Sequence, residues 1–586
     1  MNSISNIAKW GRVIGIDFEY RSGPPPEPVC MVAIDFNTGK KWELFFEQNT
    51  KVNCPIDFNE EDLVVAHNFS AEASCFGVLN WDLPPNICCT MAEYRNLTNG
   101  IKFKYSLLEV CNAFKISCIE SDEKEEMRDL ALRGWPYSKK EQKDLLQYCS
   151  TDVLVLGEMV GRLNPDARAL IRGRYAAENG LMSVRGLPVD KGGINLLEQG
   201  KDELLLEKAK EINRLCKMDI FCNGKLGVKT LEQFLLQIDE HWPSTEKNSL
   251  KRDNETLKSR EKLDERLPKI RQLLKSMNML RKYEINAGHD GRHRYDSIPF
   301  ATSTGRTQMI GGCLLSGPAF LRSFIKSPPG KVLIIADYKS QETLIAAVCS
   351  GDEGMAHDYY SEDFYFSFAK RAGAVAPSAQ RSDSDETESI RSTFKVVALA
   401  VQYGMGATSL ADKLSMPDVY AKSLLRQHKR SYPKYWEWVE KVKNIAAMSQ
   451  PIEAVLGWRL NPPYQSKTSY LKGKSSMLSI CNFPIQSTGS EILRATVIDL
   501  ANAGFQLLAT VHDSVIVEVD SKDWKQEEIR LKAVMKSTTQ QLLGGKEILV
   551  ETKIIHPGER YHDERGKDMW DFLEKRLRLN KGTPNE

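Results

Sequence analysis

The 586-residue chain has no surplus of either charge: 80 Lys and Arg stand against 78 Asp and Glu, a net of +2. Overall charge therefore gives no argument for a nucleic-acid partner, and any phosphate-binding surface has to be local. Its thirteen cysteines contain no C-x-x-C pair and no even ladder, and Cys88 and Cys89 are adjacent. That pattern suits a reduced thiol pool better than a disulfide framework. No apolar run reaches membrane-spanning length. The opening "MNSISNIAKWGR" has no apolar signal-peptide core. Internal repeats are absent. These absences lead us to expect a soluble, intracellular protein with no membrane partner. Its length predicts more than one domain, each able to bury a core.

Several segments have readable organisation. Residues 12–36 pair two strand-like runs around the Pro-rich "RSGPPPEPVC", which reads as a hairpin. Helical patterns follow to about residue 160, and "ENGLMSVRGLPVDKGGINLLEQG" (178–200) opens a second, mostly helical region. Residues 251–282 interleave Lys and Arg with leucines, as a solvated helix pair does and as a phosphate-contacting arm also would. "APSAQRSDSDETES" (376–389) reads as a polar loop, and "LNKGTPNE" at the end as a tail.

Acidic residues form two constellations. In "VIGIDFEY" (13–20), Asp17 and Glu19 are two apart on a strand and share one face, leaving the other to Ile14, Ile16 and Phe18. Adjacent carboxylates repel, and a bound cation is the usual remedy. Downstream, "YCSTDV" puts Tyr148 and Asp152 at i, i+4 on a helix. Between them "VVAHNFSAEASCF" supplies a strand, then Asn68 and Glu72.

The second constellation starts at "KVLIIADYKSQE", an apolar strand ending in Asp337. Another acid lies in "LLATVHDSVIVEVD", where two apolar strands flank His512 and Asp513. A polar His-Asp-Ser between such strands is costly away from a functional surface, although a plain hairpin turn also explains it. In "RSTFKVVALAVQYGMG", Arg391, Lys395, Leu399 and Tyr403 are each four apart and form one helical stripe. Two cations at one end of that stripe suit a triphosphate, and a solvated face is the bland alternative. Gly404 and Gly406 then end the helix.

The first trio resembles the DEDD proofreading exonucleases of the subtype with Tyr in the third motif. The resemblance implies that Asp17, Glu19, Glu72 and Asp152 hold divalent metals, and that Tyr148 orients the attacking water. The second motif departs from the usual N-x-x-F-D: Ala71 and Glu72 follow Asn68, keeping the charge on a longer arm.

The second trio, in order, resembles the polymerase motifs of DNA polymerase family A. "TSTGRTQ" (302–308), "NFPIQSTGSEIL" (482–493) and "LMSVRGLPVD" (181–190) extend the likeness over nearly the whole chain. The "YGMG" and "HDS" variants are most similar to phage-type members.

These resemblances imply an α/β multi-domain chain. An RNase-H-like exonuclease domain would occupy 1–165 and a right-hand polymerase domain 166–586. The thumb would lie at about 185–290, the palm at about 291–345 and 485–586, and the fingers at about 346–484.

The implied activity is template-directed DNA synthesis with 3′→5′ proofreading, by two-metal phosphoryl transfer. Asp337, Asp513 and the Tyr338 carbonyl would hold Mg²⁺, with Mn²⁺ as substitute. Arg391 and Lys395 would grip the triphosphate. Glu342 with Tyr403 would exclude the ribose 2′-hydroxyl, and Leu399 would face the new base pair. Arg306, Gln486 and His512 would contact DNA near the primer terminus. The basic arm at 251–282 corresponds to the thumb.

Leu399 stands where many relatives carry an aromatic, which predicts slower insertion, and Ser514 stands where cellular members usually have Glu. The partners implied are primer–template DNA, dNTPs and a single-stranded 3′ end. The enzyme would act as a monomer in the cytoplasm of a bacterium or phage-infected cell. No processivity factor or helicase partner is named by the sequence. The rivals are a single-subunit RNA polymerase, opposed by Glu342 and the proofreading motifs, a non-catalytic DNA-binding protein, opposed by the retained acids and cations, and, between the two, an exonuclease with a dead polymerase half.

Overall fold

The computed structural model describes residues 9–23, 25–47, 52–101, 104–118, 121–245, 248–282, 285–310, 312–462 and 477–577. The expected tail at 579–586 lies outside them. The chain divides into two compact units. One comprises 1–186, 296–309 and 331–554; the other comprises 187–295, 310–330 and 555–586.

The first unit contains two sheets. Strands β1 (Arg12–Arg21), β2 (Glu27–Asp35), β3 (Lys41–Phe45), β4 (Asp62–Ala66) and β5 (Ile87–Cys89) form a mixed sheet in the order β3-β2-β1-β4-β5. β1 is antiparallel to β2 and parallel to β4. The predicted hairpin is therefore present. The strand read ahead of Asn68 is present as β4, and the helical patterns read beyond the hairpin are corrected only at β3 and β5; β4 and β5 pair in parallel, a contact that local periodicity does not report. Gly15 allows β1 to run close under Phe36, since a Cβ there would lie 2.5 Å from the ring.

Helix α1 (Phe69–Leu79) follows β4. Farther on come α2 (Ser121–Arg133) and the long α3 (Lys139–Leu163), which starts in a reciprocal Ser138–Glu141 capping box. Helix α4 (Ala169–Arg185) then ties the two sheets together. A Cβ on its Gly173 would sit 2.0 Å from the Ile87 carbonyl oxygen, and one on Gly180 2.2 Å from that of Ser70. Glycine lets this helix press its backbone against β5 and α1. At its far end, Arg185 donates to the Leu507 carbonyl on the second sheet.

The second sheet consists of β6 (Lys331–Tyr338), β7 (Gln506–Val511), β8 (Ser514–Asp520) and β9 (Val550–Ile555), in the order β7-β8-β6-β9. Val332 to Ala336 are buried, as the apolar run predicts. Helices α5 (Gln341–Ser350), α6 (Asp385–Gln402) and α7 (Met477–Asn502) belong to the same unit. The loop expected over 376–389 is corrected at its C-terminal end. Ser384 accepts from the Thr387 amide and begins α6 at Asp385, so these polar residues are a cap and a first turn. Three acids in that turn, Asp385, Glu386 and Glu388, suit the positive end of the helix.

The second unit is mainly helical. Ile212, Phe234, Leu267, Ile270 and Leu273 are buried in one cluster there. The basic run resolves into helices Asn254–Ser259 and Leu267–Lys282. Arg252, Arg271 and Lys275 line one cleft with Arg322 and Arg565. Among the described residues no helix is long and apolar enough to cross a membrane.

Candidate active site

The polymerase-like acids meet where β6 ends. β6 and β8 are antiparallel, with Asp337 opposite Ser514. Val511 pairs with Ser514 across a two-residue turn of His512 and Asp513. His512 adopts φ +57°, the left-handed conformation that such tight hairpin turns use at their first central residue. The Tyr338 amide donates to the Asp513 carbonyl at 3.4 Å, which places Asp513 beside the end of β6. The strand is buried, but Asp337 itself opens to solvent. Partial burial, and then the neighbouring Asp513 carboxylate, push the Asp337 carboxyl up to about 7. Glu551 on β9 adds to the same effect. The Tyr338 ring is anchored away from the site, its hydroxyl 2.6 Å from Thr496 Oγ1 and donating to the Met535 carbonyl at 2.9 Å.

Around this pair lie the other expected residues. Glu342 is in the first turn of α5, and Arg306 Nη2 donates to its Oε1 at 3.2 Å. Burial raises the Glu342 carboxyl, Arg306 opposes the rise and Asp513 adds to it. Tyr403 caps the C-terminus of α6 and is 54% exposed. Burial raises its phenol, helped by the charges of Glu342 and Asp513, so Tyr403 shares the electrostatic environment of both acids.

Arg391 and Lys395 flank one aromatic ring, that of Tyr365, at 5.6 and 5.7 Å. Arg391 Nε also donates to Asp363 Oδ2 at 2.7 Å. Leu399 is half-buried farther along the same helix. Arg306 and His512 line one small cavity together with Tyr175, Thr307 and Ser490. Gln486 is half-buried on α7, one turn before Ser490, whose hydroxyl donates to its carbonyl.

The N-terminal constellation also converges. Asp17 and Glu19 are on β1, Glu72 is in the first turn of α1, and Tyr148 and Asp152 are on α3. Burial, reinforced by Asp152, pushes the Asp17 carboxyl up to about 7. Cys149 Sγ donates to Asp17 Oδ2 at 3.3 Å. Burial raises Glu19 and Glu72 well above the carboxylate range, with Asp17 adding to each. Tyr148 is raised by burial and by all three of Asp152, Glu19 and Asp17. Glu72 is 4% exposed, and its Oε2, like Asn68 Oδ1, has no hydrogen-bond partner among the described residues.

Sequence reasoning missed Lys124. It lies on α2, and its Nζ is 3.0 Å from Asp152 Oδ2. It also missed Glu551 and Tyr365.

The two sites differ in how they suit a metal. At the end of β6, two adjacent repelling carboxylates open to solvent match the sparse carboxylate set that Mg²⁺ prefers. The N-terminal acids already have a resident ammonium. Among the described residues, no group of three or more His, Cys, Asp or Glu side chains is arranged to hold a metal ion.

The sequence model of DNA polymerase family A matches residues 225–556, more than half of the chain. This chain belongs to DNA polymerase family A.

The family A chain is 25% identical over 236 residues to the thermostable DNA polymerase I of Thermus aquaticus, a stretch covering 37% of this chain and 27% of that protein. It is 24% identical over 230 residues to DNA polymerase I of Pseudomonas aeruginosa, covering 38% of this chain and 23% of that one. The chain thus spans about a quarter of the length of these curated relatives. Among solved structures, it resembles the POL domain of Pol1 from M. smegmatis in complex with DNA primer-template and dNTP. The TM-score is 0.72 at 16% identity, over 95% of this chain and 97% of that one. The shared fold therefore includes the N-terminal sheet as well as the sheet carrying Asp337.

Proposed function

We propose that this family A chain is a DNA-directed DNA polymerase that extends a primer–template with dNTPs, acting as a monomer in the cytoplasm of a bacterium or phage-infected cell. The observation carrying this reading is the convergence of Asp337 and Asp513 at the open end of β6, with Glu342 and Arg306 beside them. Asp337, Asp513 and the Tyr338 carbonyl would hold divalent cations, Mg²⁺ or in its place Mn²⁺. When bound, these ions supply charge neutralisation on the phosphates and activation of the primer 3′-hydroxyl.

The chain's own residues do the positioning. Arg391 and Lys395 offer the triphosphate two cations held in fixed relation by Tyr365. Their charge favours the leaving pyrophosphate. Arg391 exchanges its contact with Asp363 for phosphate when substrate arrives. Glu342 and Tyr403 flank the position of the sugar and disfavour a 2′-hydroxyl. Arg306, His512 and Gln486 contact the primer terminus. Leu399 packs on the new base pair. The basic cleft of the second unit suits duplex phosphates.

The test is extension of a primed template by purified protein in Mg²⁺, supplied separately with dNTPs and rNTPs. The reading requires extension and a strong preference for dNTPs. Binding without extension would favour a DNA-binding protein, and efficient rNTP use an RNA polymerase.

A second activity, 3′→5′ hydrolysis of a single-stranded end, is supported by the charges of Asp152, Glu19 and Asp17 acting on Tyr148, with Glu72 under the influence of Asp17. In this proofreading role the carboxylates would take the divalent ions and Tyr148 would orient water at the terminal phosphodiester.

A further inference from the structure

The turn that carries Arg306 is clamped by side chains from distant segments. Thr302 and Ser303 are exposed, and no strand or helix includes residues 302–306. Within the turn, the Gly305 amide donates to the Thr302 carbonyl at 2.9 Å. The Ser303 carbonyl accepts two side-chain donors, Asn99 Nδ2 at 2.6 Å and Trp458 Nε1 at 2.9 Å. The Gly305 carbonyl accepts from Arg494 Nη2 at 3.3 Å. Asn99 ends the helix Thr90–Thr98, which follows β5, so one clamp comes from the N-terminal part of the chain. Arg95 on that helix donates to the Pro299 carbonyl, just ahead of the turn, at 3.1 Å.

The clamps are themselves fixed. Asn96, Asn99 and Trp458 are all buried. Trp458 lies in the turn between the paired strands Ile452–Glu453 and Arg459–Leu460. Its amide donates to Glu491 Oε1 on α7 at 2.7 Å, and its ring stacks on Phe300 with 5.1 Å between centroids. Asn96 grips this hairpin on both sides of Trp458: its Nδ2 donates to the Gly457 carbonyl at 3.2 Å, and its Oδ1 accepts from the Arg459 amide at 2.8 Å. Asn99 Nδ2 donates to the Arg459 carbonyl as well, at 2.7 Å. Two carbonyl acceptors leave the Asn99 amide one orientation, nitrogen toward the turn.

We propose that Asn99 and Trp458 are positioning residues of the polymerase centre: by holding the Ser303 carbonyl they keep the 302–306 turn where Arg306 reaches Glu342. Arg306 follows Ser303 closely in the turn, and its Nη2 is 3.2 Å from Glu342 Oε1. Without the two donors the Ser303 carbonyl loses its side-chain partners, the turn is free to shift, and the Arg306 guanidinium moves with it. The inference rests on the reading of Glu342 as the acid that checks the sugar. It deepens that reading by tracing the hold on Glu342 back through Arg306 to the helix that follows β5.

The experiment uses the full chain with Asn99→Ala, Trp458→Phe and the two together. Phenylalanine keeps a ring to stack on Phe300 and removes the donor. Melting curves confirm that each variant is folded. Hydrogen–deuterium exchange of peptides spanning 302–306 should quicken at least about fivefold in the double variant, the effect of one neutral hydrogen bond, while peptides of β6 keep their rate. In single-nucleotide incorporation, the ratio of dNTP to rNTP kcat/KM should fall about fivefold in the double variant. In an Arg306→Leu background the same substitutions should leave the ratio where Arg306→Leu alone puts it, because their effect passes through Arg306.

Unchanged exchange of the turn in the double variant would overturn the proposal. So would an unchanged ratio in the double variant when Arg306→Leu lowers it. A fall of equal size in the Arg306→Leu background would also overturn it, since the effect would then be general loosening. The underlying reading fails separately, if Arg306→Leu leaves the ratio unchanged or the wild type does not extend a primer. Exchange of the turn then decides the proposal by itself: faster exchange supports the anchoring by Asn99 and Trp458, and unchanged exchange sinks it.

Discussion

Replacing Arg306 with Leu should weaken selection against ribonucleotides without any change to Glu342 itself. Arg306 Nη2 and Glu342 Oε1 are 3.2 Å apart, with side chains 28% and 16% exposed. A hydrogen bond to a charged group contributes about 1.5–3 kcal/mol, and partial exposure favours the lower end. Burial already raises the Glu342 carboxyl, and Asp513 raises it further, while Arg306 is the group that opposes both. Without Arg306 the Glu342 carboxyl is raised further, and it is no longer held in place. About 1.4 kcal/mol corresponds to tenfold, so the ratio of dNTP to rNTP kcat/KM should fall roughly tenfold. The ratio should recover partly as pH rises and Glu342 ionises. Single-nucleotide incorporation with matched dNTP and rNTP measures it, and taking the ratio cancels any loss of DNA affinity. The reasoning fails if Arg306→Leu leaves the ratio unchanged while Glu342→Ala lowers it.

Leu399→Phe should speed single-nucleotide insertion by extending the surface offered to the new base pair; an unchanged rate in rapid quench would remove that role. Arg172→Met should destabilise the first unit by about 3–5 kcal/mol, because it strands Glu93 in a buried pair whose bonds are 2.5 and 2.7 Å. Denaturant unfolding checks this, and a loss below about 1 kcal/mol would contradict the burial argument. For Asp17, the folded carboxyl is raised from 3.8 to about 7, so the native state holds the extra proton between those values. In chelator, stability should therefore fall as pH rises from about 4 to 7, and Asp17→Asn should lessen the fall. Melting curves across that range that are parallel for both proteins would refute it.

How far the sites could be read from sequence depended on whether local pattern carried the information. Asp337 was legible because an apolar strand ending in an acid is conspicuous. The His512–Asp513 turn was legible because strand periodicity stops on both sides of it. The pairing of Asp337 with Ser514 needed only the hairpin and one antiparallel neighbour. Glu551 was not legible: "ILVETKII" is an ordinary strand, and its acid approaches Asp337 only through the order of β9 beside β6. Tyr365 stood in "EDFYFSFAK", where aromatics read as core, and its role appears once α6 brings two cations to its ring. Lys124 was hidden in "ESDEKEEMRD", a run that looks like a solvated face. Its importance comes from the packing of α2 against the acids rather than from spacing. The helix start at Asp385 did have a local signal, the Ser384–Thr387 cap, which the polar composition of that stretch obscured.

The central claim is that Asp337 and Asp513 form the reacting centre for DNA synthesis. Its most direct test is single-turnover extension of a pre-bound primer–template by wild-type protein, Asp337→Asn and Asp513→Asn, with DNA affinity measured for each. Asparagine keeps the shape of each side chain and removes its charge. The account predicts extension by the wild type, a loss of at least about a thousandfold in each variant, the order of the charge stabilisation such sites supply, and unchanged DNA binding. Extension by either variant within tenfold of the wild type would contradict it.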